Sequence, residues 1–404
     1  MVLDKNSYLI ILGAGPQQVA VYEKAAKLGL KTVALDYNPK ADAIKIADKY
    51  ILVSVNNNNI KECLTKLKDA GLKYSGVIAS GIEVSPLASA IAKEFNLIWS
   101  SEETAFNTTN KCARSTLLQD AGIPIPRFEI IDSPVLPNIN FPFVVKPSDN
   151  SGSRGVRIVD SEKEWLLAYD EAKTYSSDGI VIVEELLQGD EISIEGFVLD
   201  GEVLIHGFFD RNYIPGFYPY FMEDGCTFPT RLPPKIVKEA HKVYSQAVMA
   251  LGIKAGPTKG DLIVTVEGVK VLEVTSRFSP LFPMILPFLT GVDPMETLVR
   301  WAVGMEVPRS LLEPKFTKAM AHRYYFHKPG KVSKLTGLKS LKDQPGVKLV
   351  IFLRNVNLGD ILAPSSYINR PLYLAAIAND RETAIKLAEN ALKTVHIEVE
   401  HINK

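Results

Sequence analysis

The sequence predicts a mixed fold, with an α/β unit at the amino end followed by β-rich α+β units. Three observations carry that prediction. Residues 8–36 alternate strand, glycine turn, helix and strand; residues 257–277 hold two short alternating runs joined by a Glu-Gly turn; and the chain from Val307 onward is mostly short strand-like runs closed by one helix. At 404 residues the chain exceeds the size at which a single core stops growing, so two to four structural units are expected.

In the first unit Tyr8 to Leu12 reads as a strand, Gly13-Ala14-Gly15-Pro16 as a turn, Gln17 to Lys27 as a helix and Lys31 to Asp36 as the next strand. The G-A-G turn invites a dinucleotide site with Asp36 on a ribose, but Gln18 stands where the third glycine belongs and leaves the fingerprint incomplete. Asn56 to Asn59 read as a turn and helix cap. A hinge is expected near residues 101–110, then a helix over 111–122 that ends at Gly122, Pro124 and Pro126. The apolar run from Phe141 ends in Lys146, and a loop of small residues (Ser148, Ser151, Gly152, Ser153, Gly155) precedes the run Val156 to Val159. Residues 180–196 place Glu184 and Glu185 at the end of a strand, cross Leu186 and Leu187, and open a second run at Glu191. Residues 207–230, dense in aromatics, read as a loop over an apolar acceptor or as mere packing. Pro233 to Leu251 has the pattern of an amphipathic helix behind the strands of 257–277. The carboxyl-terminal part runs through His322 to Phe326, a Lys-rich turn at 328–334, Val347 to Arg354, a helix from Arg381 to Lys393 and a strand from Val395 to Val399.

Chemistry concentrates in three of these stretches. Side chains alternate along a strand, so Glu273, Thr275 and Arg277 share one face, and Asp261 can project beside them from the preceding run. Two acids, a hydroxyl and an Arg on one wall suit a divalent metal that carries phosphate oxygens, since Mg²⁺ takes one or two carboxylates and leaves the remaining positions to nucleotide and water. The loop at 151–155 lets backbone N–H groups approach phosphate, and Lys146 adds a point charge; the P-loop spacing is missing and no helix N-terminus follows. Backbone groups of 185–187 with Glu184 can read an adenine edge, and Glu191 can accept from ribose hydroxyls. Each stretch taken alone is equally an ordinary polar hairpin.

In this order, and with N-K-C-A-R-S-T-L-L-Q-D-A-G-I-P-I-P at 110–126, the stretches resemble the ATP-grasp superfamily, in the branch that includes L-amino-acid ligases, purine-pathway ligases, biotin carboxylase and carbamoyl-phosphate synthetase. The resemblance implies a Rossmann-like pre-ATP-grasp domain at 1–108, a two-lobed ATP-grasp domain at 109–305 (small lid lobe 109–183, large lobe 184–305) and a C-terminal α+β domain at 306–404. It assigns Lys111 and Lys146 to the nucleotide and Ser151, Gly152, Ser153 and Gly155 to a mobile phosphate lid. It assigns Glu184, Glu185, Leu186 and Leu187 to adenine, and Glu191 to ribose. Asp261, Glu273 and Thr275 fall at the metal-binding positions, with Thr275 where Asn is usual, which puts a second metal in doubt. Arg277 falls at the basic residue closing that motif, Arg211 near the phosphates, and Arg370 within reach of a substrate carboxylate. The implied cofactors are ATP and Mg²⁺ (or Mn²⁺). The implied reaction is phosphorylation of a small carboxylate followed by attack of an amine, with a bicarbonate-activating enzyme or an ATP-binding module without catalysis as alternatives.

Composition narrows the field further. Forty-six basic and 46 acidic residues leave a formal net charge of zero, and the absence of a basic run argues against a nucleic-acid partner. Cys63, Cys112 and Cys226 lie far apart in no metal spacing, which points to a reducing, cytoplasmic setting. No apolar stretch approaches the length of a membrane span and the six histidines form no H-x-x-x-H pair, so membrane spanning and a zinc hydrolase are not expected. A homodimer is compatible with the resemblance.

Overall fold

The computed structural model describes residues 4, 6–363 and 369–400. The amino-terminal part runs β1 (Tyr8–Leu12), α1 (Val19–Lys27), β2 (Lys31–Asp36), β3 (Lys49–Leu52), α2 (Ile60–Asp69), β4 (Tyr74–Ala79) and α3 (Ser85–Phe95). Its strands form a parallel sheet in the order β3-β2-β1-β4. Buried on both faces, these strands read as continuous apolar runs such as Leu9 to Leu12, all fully buried. The glycine turn after β1 is closed by Asp36, whose carboxylate accepts the Ala14 and Asn38 backbone N–H groups. Gln18, in the third-glycine position, donates to the Ser80 carbonyl at 2.8 Å. Asp36 is thus committed to its own turn. Asn56 caps the short turn at 57–59 through its side chain, as the Asn cluster suggests.

The expected hinge at 101–110 is instead a helix. Ser101 accepts the Thr104 N–H at 3.1 Å, and Glu102 and Glu103 complement the N-terminal dipole, so α4 forms over Glu102–Thr109. Asn110 then caps α5 (Lys111–Asp120) directly, through the Ala113 N–H at 3.0 Å. Beyond it, β5 (Phe128–Ile131), β6 (Phe143–Pro147), β7 (Arg157–Val159), α6 (Glu162–Tyr175) and β8 (Val181–Glu185) build an antiparallel sheet in the order β5-β8-β6-β7, covered on one face by α6.

The largest sheet has eight antiparallel strands. It contains β9 (Asp190–Leu199), β10 (Glu202–Tyr213), β11 (Glu223–Phe228), β12 (Gly256–Thr265) and β13 (Gly268–Thr275), with α7 (Pro234–Ala250) between β11 and β12. After α8 (Phe282–Leu289) and α9 (Pro294–Ala302) come β14 (Ala319–Tyr324), β15 (Gly330–Thr336), β16 (Val347–Phe352), β17 (Ile361–Leu362), β18 (Leu372–Ala378), α10 (Arg381–Lys393) and β19 (His396–Glu400). The strand order is β13-β12-β9-β10-β11-β14-β18-β16, so one sheet runs on across residue 305, and β17-β15-β19 make a small separate sheet. The aromatic stretch 207–230 is largely β10 and β11, with only residues 214–222 as connection, and most of the Lys-rich turn is strand β15. In both places alternating pairing with a neighbouring strand outcompetes the turn-forming residues.

Two glycines set the spacing of layers around the large sheet. A Cβ at Gly260 would lie 2.4 Å from the Tyr244 ring, so α7 packs tightly behind β12; one at Gly76 would lie 2.4 Å from the Ala302 carbonyl, which holds α9 against the parallel sheet. Phe197, Phe278, Leu298 and Ala302 join the core of the amino-terminal sheet, so the two regions share one apolar cluster. No helix among the described residues is long and apolar enough to cross a membrane.

Candidate active site

A cavity of about 400 Å³ opens between the β5-β8-β6-β7 sheet and one face of the large sheet. The pairing of β9, β12 and β13 dictates that wall. Asp261 sits opposite Ser193 on one side and Glu273 on the other, while one step along the strand Lys259 sits opposite Glu195 and Thr275. Two rows, Ser193-Asp261-Glu273 and Glu195-Lys259-Thr275, therefore present their side chains to one face. The register shifts between Asp261 and Leu262, leaving Leu272 as an extra residue on β13, and this bulge brings both Leu272 and Glu273 to the cavity.

The carboxylates on this wall are paired with neighbouring cations and hydroxyls. Asp261, buried, accepts from Ser193 Oγ on Oδ1, and from Arg211 Nη1 at 2.6 Å and Lys259 Nζ on Oδ2. Lys259 Nζ also reaches Glu273 Oε2 at 3.1 Å. Burial alone would raise both acids; the Arg211 and Lys259 charges beside Asp261, and those of Lys259, Arg114, Lys111 and Arg277 beside Glu273, outweigh it and hold both below the usual carboxylate range. Arg211 reaches Glu223 at 3.2 Å as well. Glu191 accepts from the Tyr213 hydroxyl, and burial raises its carboxyl against the pull of Arg211.

Arg277 is held from outside the strands. Its Nε donates to Glu83 Oε2 at 2.5 Å, on the loop after β4, so the amino-terminal region fixes the guanidinium at the cavity wall. On the opposite wall Lys146 ion-pairs with the buried Glu184 on the neighbouring strand, and Lys111, at the start of α5, donates to the Asn150 carbonyl. Burial and the adjacent Arg114 bring the Lys111 ammonium down to about 8. Between these lysines the loop from Ser148 to Val156 turns through Gly152, Ser153 and Gly155, all with positive φ.

Of the residues singled out from the sequence, Lys111, Lys146, Ser151, Gly152, Ser153 and Glu184 line this one cavity. So do Glu185, Leu186, Leu187 and Glu191, and across from them Arg211, Asp261, Glu273 and Arg277. Gly155 and Thr275 do not. Gly155 packs on Tyr175, where a Cβ would come within 2.8 Å, and Thr275 Oγ1 is buried with no hydrogen-bond partner. Tyr218 also points away, toward Asp160, while Phe221 lines the cavity. Lys259, Ser193 and Arg114 also line the cavity, and Glu83 contacts it through Arg277, although no motif in the sequence singles these four out. The period of two in K-G-D marks Lys259 as sharing the face of Asp261, whereas Glu83 reaches the site only through the packing of two distant segments.

The far end of the cavity is aromatic. His322, Tyr324, Tyr373 and Phe282 line it; Arg370 stacks on Tyr324 at 3.4 Å from the ring centroid, and Gln17 approaches the Tyr373 hydroxyl at 3.4 Å. Burial, with Arg370 and Arg323 nearby, brings the His322 imidazole down to about 3, so it is neutral at ordinary pH. Among the described residues no group of three His, Cys, Asp or Glu side chains could hold a metal ion unaided. The Asp261 and Glu273 carboxylates, opposite each other on adjacent strands, form an all-oxygen pair that fits a hard cation when phosphate oxygens complete the shell.

Residues 139–281 match the ATP-grasp domain. The chain is 26% identical over 319 residues to the 3-methyl-D-ornithine–L-lysine ligase of Methanosarcina acetivorans, a match spanning 76% of this chain and 77% of that protein. Its fold is similar to that of the L-amino acid ligase from Bacillus licheniformis (TM-score 0.85, 21% identity, 99% of this chain and 100% of the other). It is also similar to the biotin carboxylase domain of the Hydrogenobacter thermophilus 2-oxoglutarate carboxylase, determined with MgADP and bicarbonate (TM-score 0.75, 19% identity, 96% and 90%). Together these matches identify residues 139–281 as an ATP-grasp domain, within a chain whose fold is similar to that of the two enzymes just named.

Proposed function

We propose that this protein is an ATP-dependent carboxylate–amine ligase that joins two small molecules through an amide bond and releases ADP and phosphate. The observation carrying this reading is the single cavity in which two lysines and a glycine-turned loop face two carboxylates and two arginines, with an aromatic chamber beyond them. The adenine is read by the backbone of 185–187, and the ribose by Glu191. Lys111, Lys146 and the 151–153 backbone bind the phosphates, and Arg277 and Arg211 offset charge on the transferring phosphoryl group. Asp261 and Glu273 would hold Mg²⁺, which when bound supplies charge neutralisation at the phosphates.

A carboxylate is a poor electrophile. Transfer of the γ-phosphoryl group to its oxygen gives an acyl phosphate and ADP; attack of a neutral amine at the acyl carbon then expels phosphate and loses one proton, forming the amide. The chain's work is positioning and exclusion of water, since an acyl phosphate is otherwise hydrolysed. His322, neutral and buried, adds no charge to the aromatic chamber that would receive the acceptor.

The test is ADP release measured with ATP, Mg²⁺ and a panel of amino-acid pairs, with products read by mass spectrometry. Amide products with stoichiometric ADP support the reading. ADP release that depends on bicarbonate and no amine would assign a carboxylase, and tight nucleotide binding without turnover would assign a binding module.

A further inference from the structure

The carboxylate pair already contains a cation. Lys259 Nζ donates to both Asp261 and Glu273, its side chain is only 11% exposed, and on the sheet it stands directly opposite Thr275. The Thr275 hydroxyl beside it is buried and makes no hydrogen bond. The ammonium thus lies between the Asp261 and Glu273 carboxylates and touches both, while the Thr275 hydroxyl is left out of the pair. An ammonium has three donors and no acceptor, so it can serve two carboxylates at once but cannot ligate a metal. It also repels a divalent ion placed beside it in this dry wall.

On the reading that this cavity binds ATP, we infer that Lys259 is a tethered cation standing in for a second divalent ion, so that the protein takes up one metal ion with each nucleotide. The lysine is anchored on β12 and needs no recruitment from solution. It supplies the carboxylate pair with a fixed single charge, so that one divalent ion suffices beside the nucleotide.

The experiment counts Mn²⁺ by electron paramagnetic resonance while the full chain is titrated with and without the non-hydrolysable analogue β,γ-imido-ATP. The wild type is expected to bind one Mn²⁺ per nucleotide. Lys259→Met, which keeps the stem and removes the charge, is expected to bind two, and its nucleotide-free Mn²⁺ affinity should rise at least tenfold. Lys259→Arg should still bind one. Lys259→Gln serves as the second neutral variant should the methionine chain fail to fold. Two Mn²⁺ per nucleotide in the wild type, or neutral variants with an unchanged count and unchanged nucleotide-free affinity, would overturn the inference. Failure of the wild type to bind the analogue would strike the ATP reading itself, and the nucleotide-free titration would still decide the role of Lys259.

Discussion

Replacing Asp261 with Asn keeps the shape of the side chain and removes its charge. Asp261 accepts three donors: Ser193 Oγ, Arg211 Nη1 at 2.6 Å and Lys259 Nζ. The amide of Asn retains one acceptor oxygen, which in the place of Oδ2 still meets Arg211 and Lys259 while the NH₂ group faces the Ser193 hydroxyl as acceptor, so the main loss is the negative charge that compensates two buried cations. Hydrogen bonds to charged groups are each worth roughly 1.5–3 kcal/mol, and breaking a buried ion pair by removing one partner costs roughly 3–5 kcal/mol. Arg211 keeps Glu223 at 3.2 Å and Lys259 keeps Glu273 at 3.1 Å, so both cations stay partly compensated. The expected loss is therefore near the lower end, about 3 kcal/mol. Urea unfolding followed by tryptophan fluorescence measures it, and the double variant Lys259→Met/Asp261→Asn should lose less than the sum of its parts, because the two share one bond. A loss under about 1 kcal/mol in the single variant, or strict additivity in the double, would refute the view that Asp261 is held by this network.

Three further outcomes follow from the same geometry. Lys146→Ala should weaken ATP binding measured by calorimetry, while Arg277→Ala should lower the acceptor-dependent rate more than ATP affinity; equal affinities in wild type and the Lys146 variant would remove that lysine from the phosphates. Lys111 is held down to about 8, so its charge is present below that pH and lost above it. Nucleotide affinity should then fall by up to about tenfold per pH unit above about 8, and Lys111→Arg should flatten that fall; a profile identical in both would reject the role. Phe221 lines the cavity and Tyr218 does not, so Phe221→Ala should change which acid or amine is used and Tyr218→Ala should not, as competition assays with paired substrates would read.

Much of this site is visible in the sequence because it is built from strands. Period-two alternation puts Glu273 and Thr275 on one face, and a two-residue turn between 265 and 268 fixes the register as far as Leu262 and Val271, beyond which the bulge at Leu272 brings Glu273 opposite Asp261. The same local logic places β1, β2 and α10 at their observed bounds, since burial on a parallel sheet and helical periodicity leave direct marks on the order of apolar residues. What the order of residues does not carry is which distant segments meet. The Glu83 side chain reaches Arg277 across 194 positions, and Lys146 finds Glu184 on a neighbouring strand 38 positions away. The bulge at Leu272 and the burial of Thr275 depend on how β13 packs against β12 and its surroundings, and the helix at 102–109 forms where a hinge is expected. The extension of one sheet through β11, β14 and β18 is likewise a long-range pairing, decided by tertiary packing and invisible to any local period. Local periodicity thus determines which residues share a face, because side-chain direction follows from backbone geometry alone. Only the closed fold decides which charges pair and which hydroxyl is left without a partner, because those outcomes depend on contacts between segments far apart in the chain.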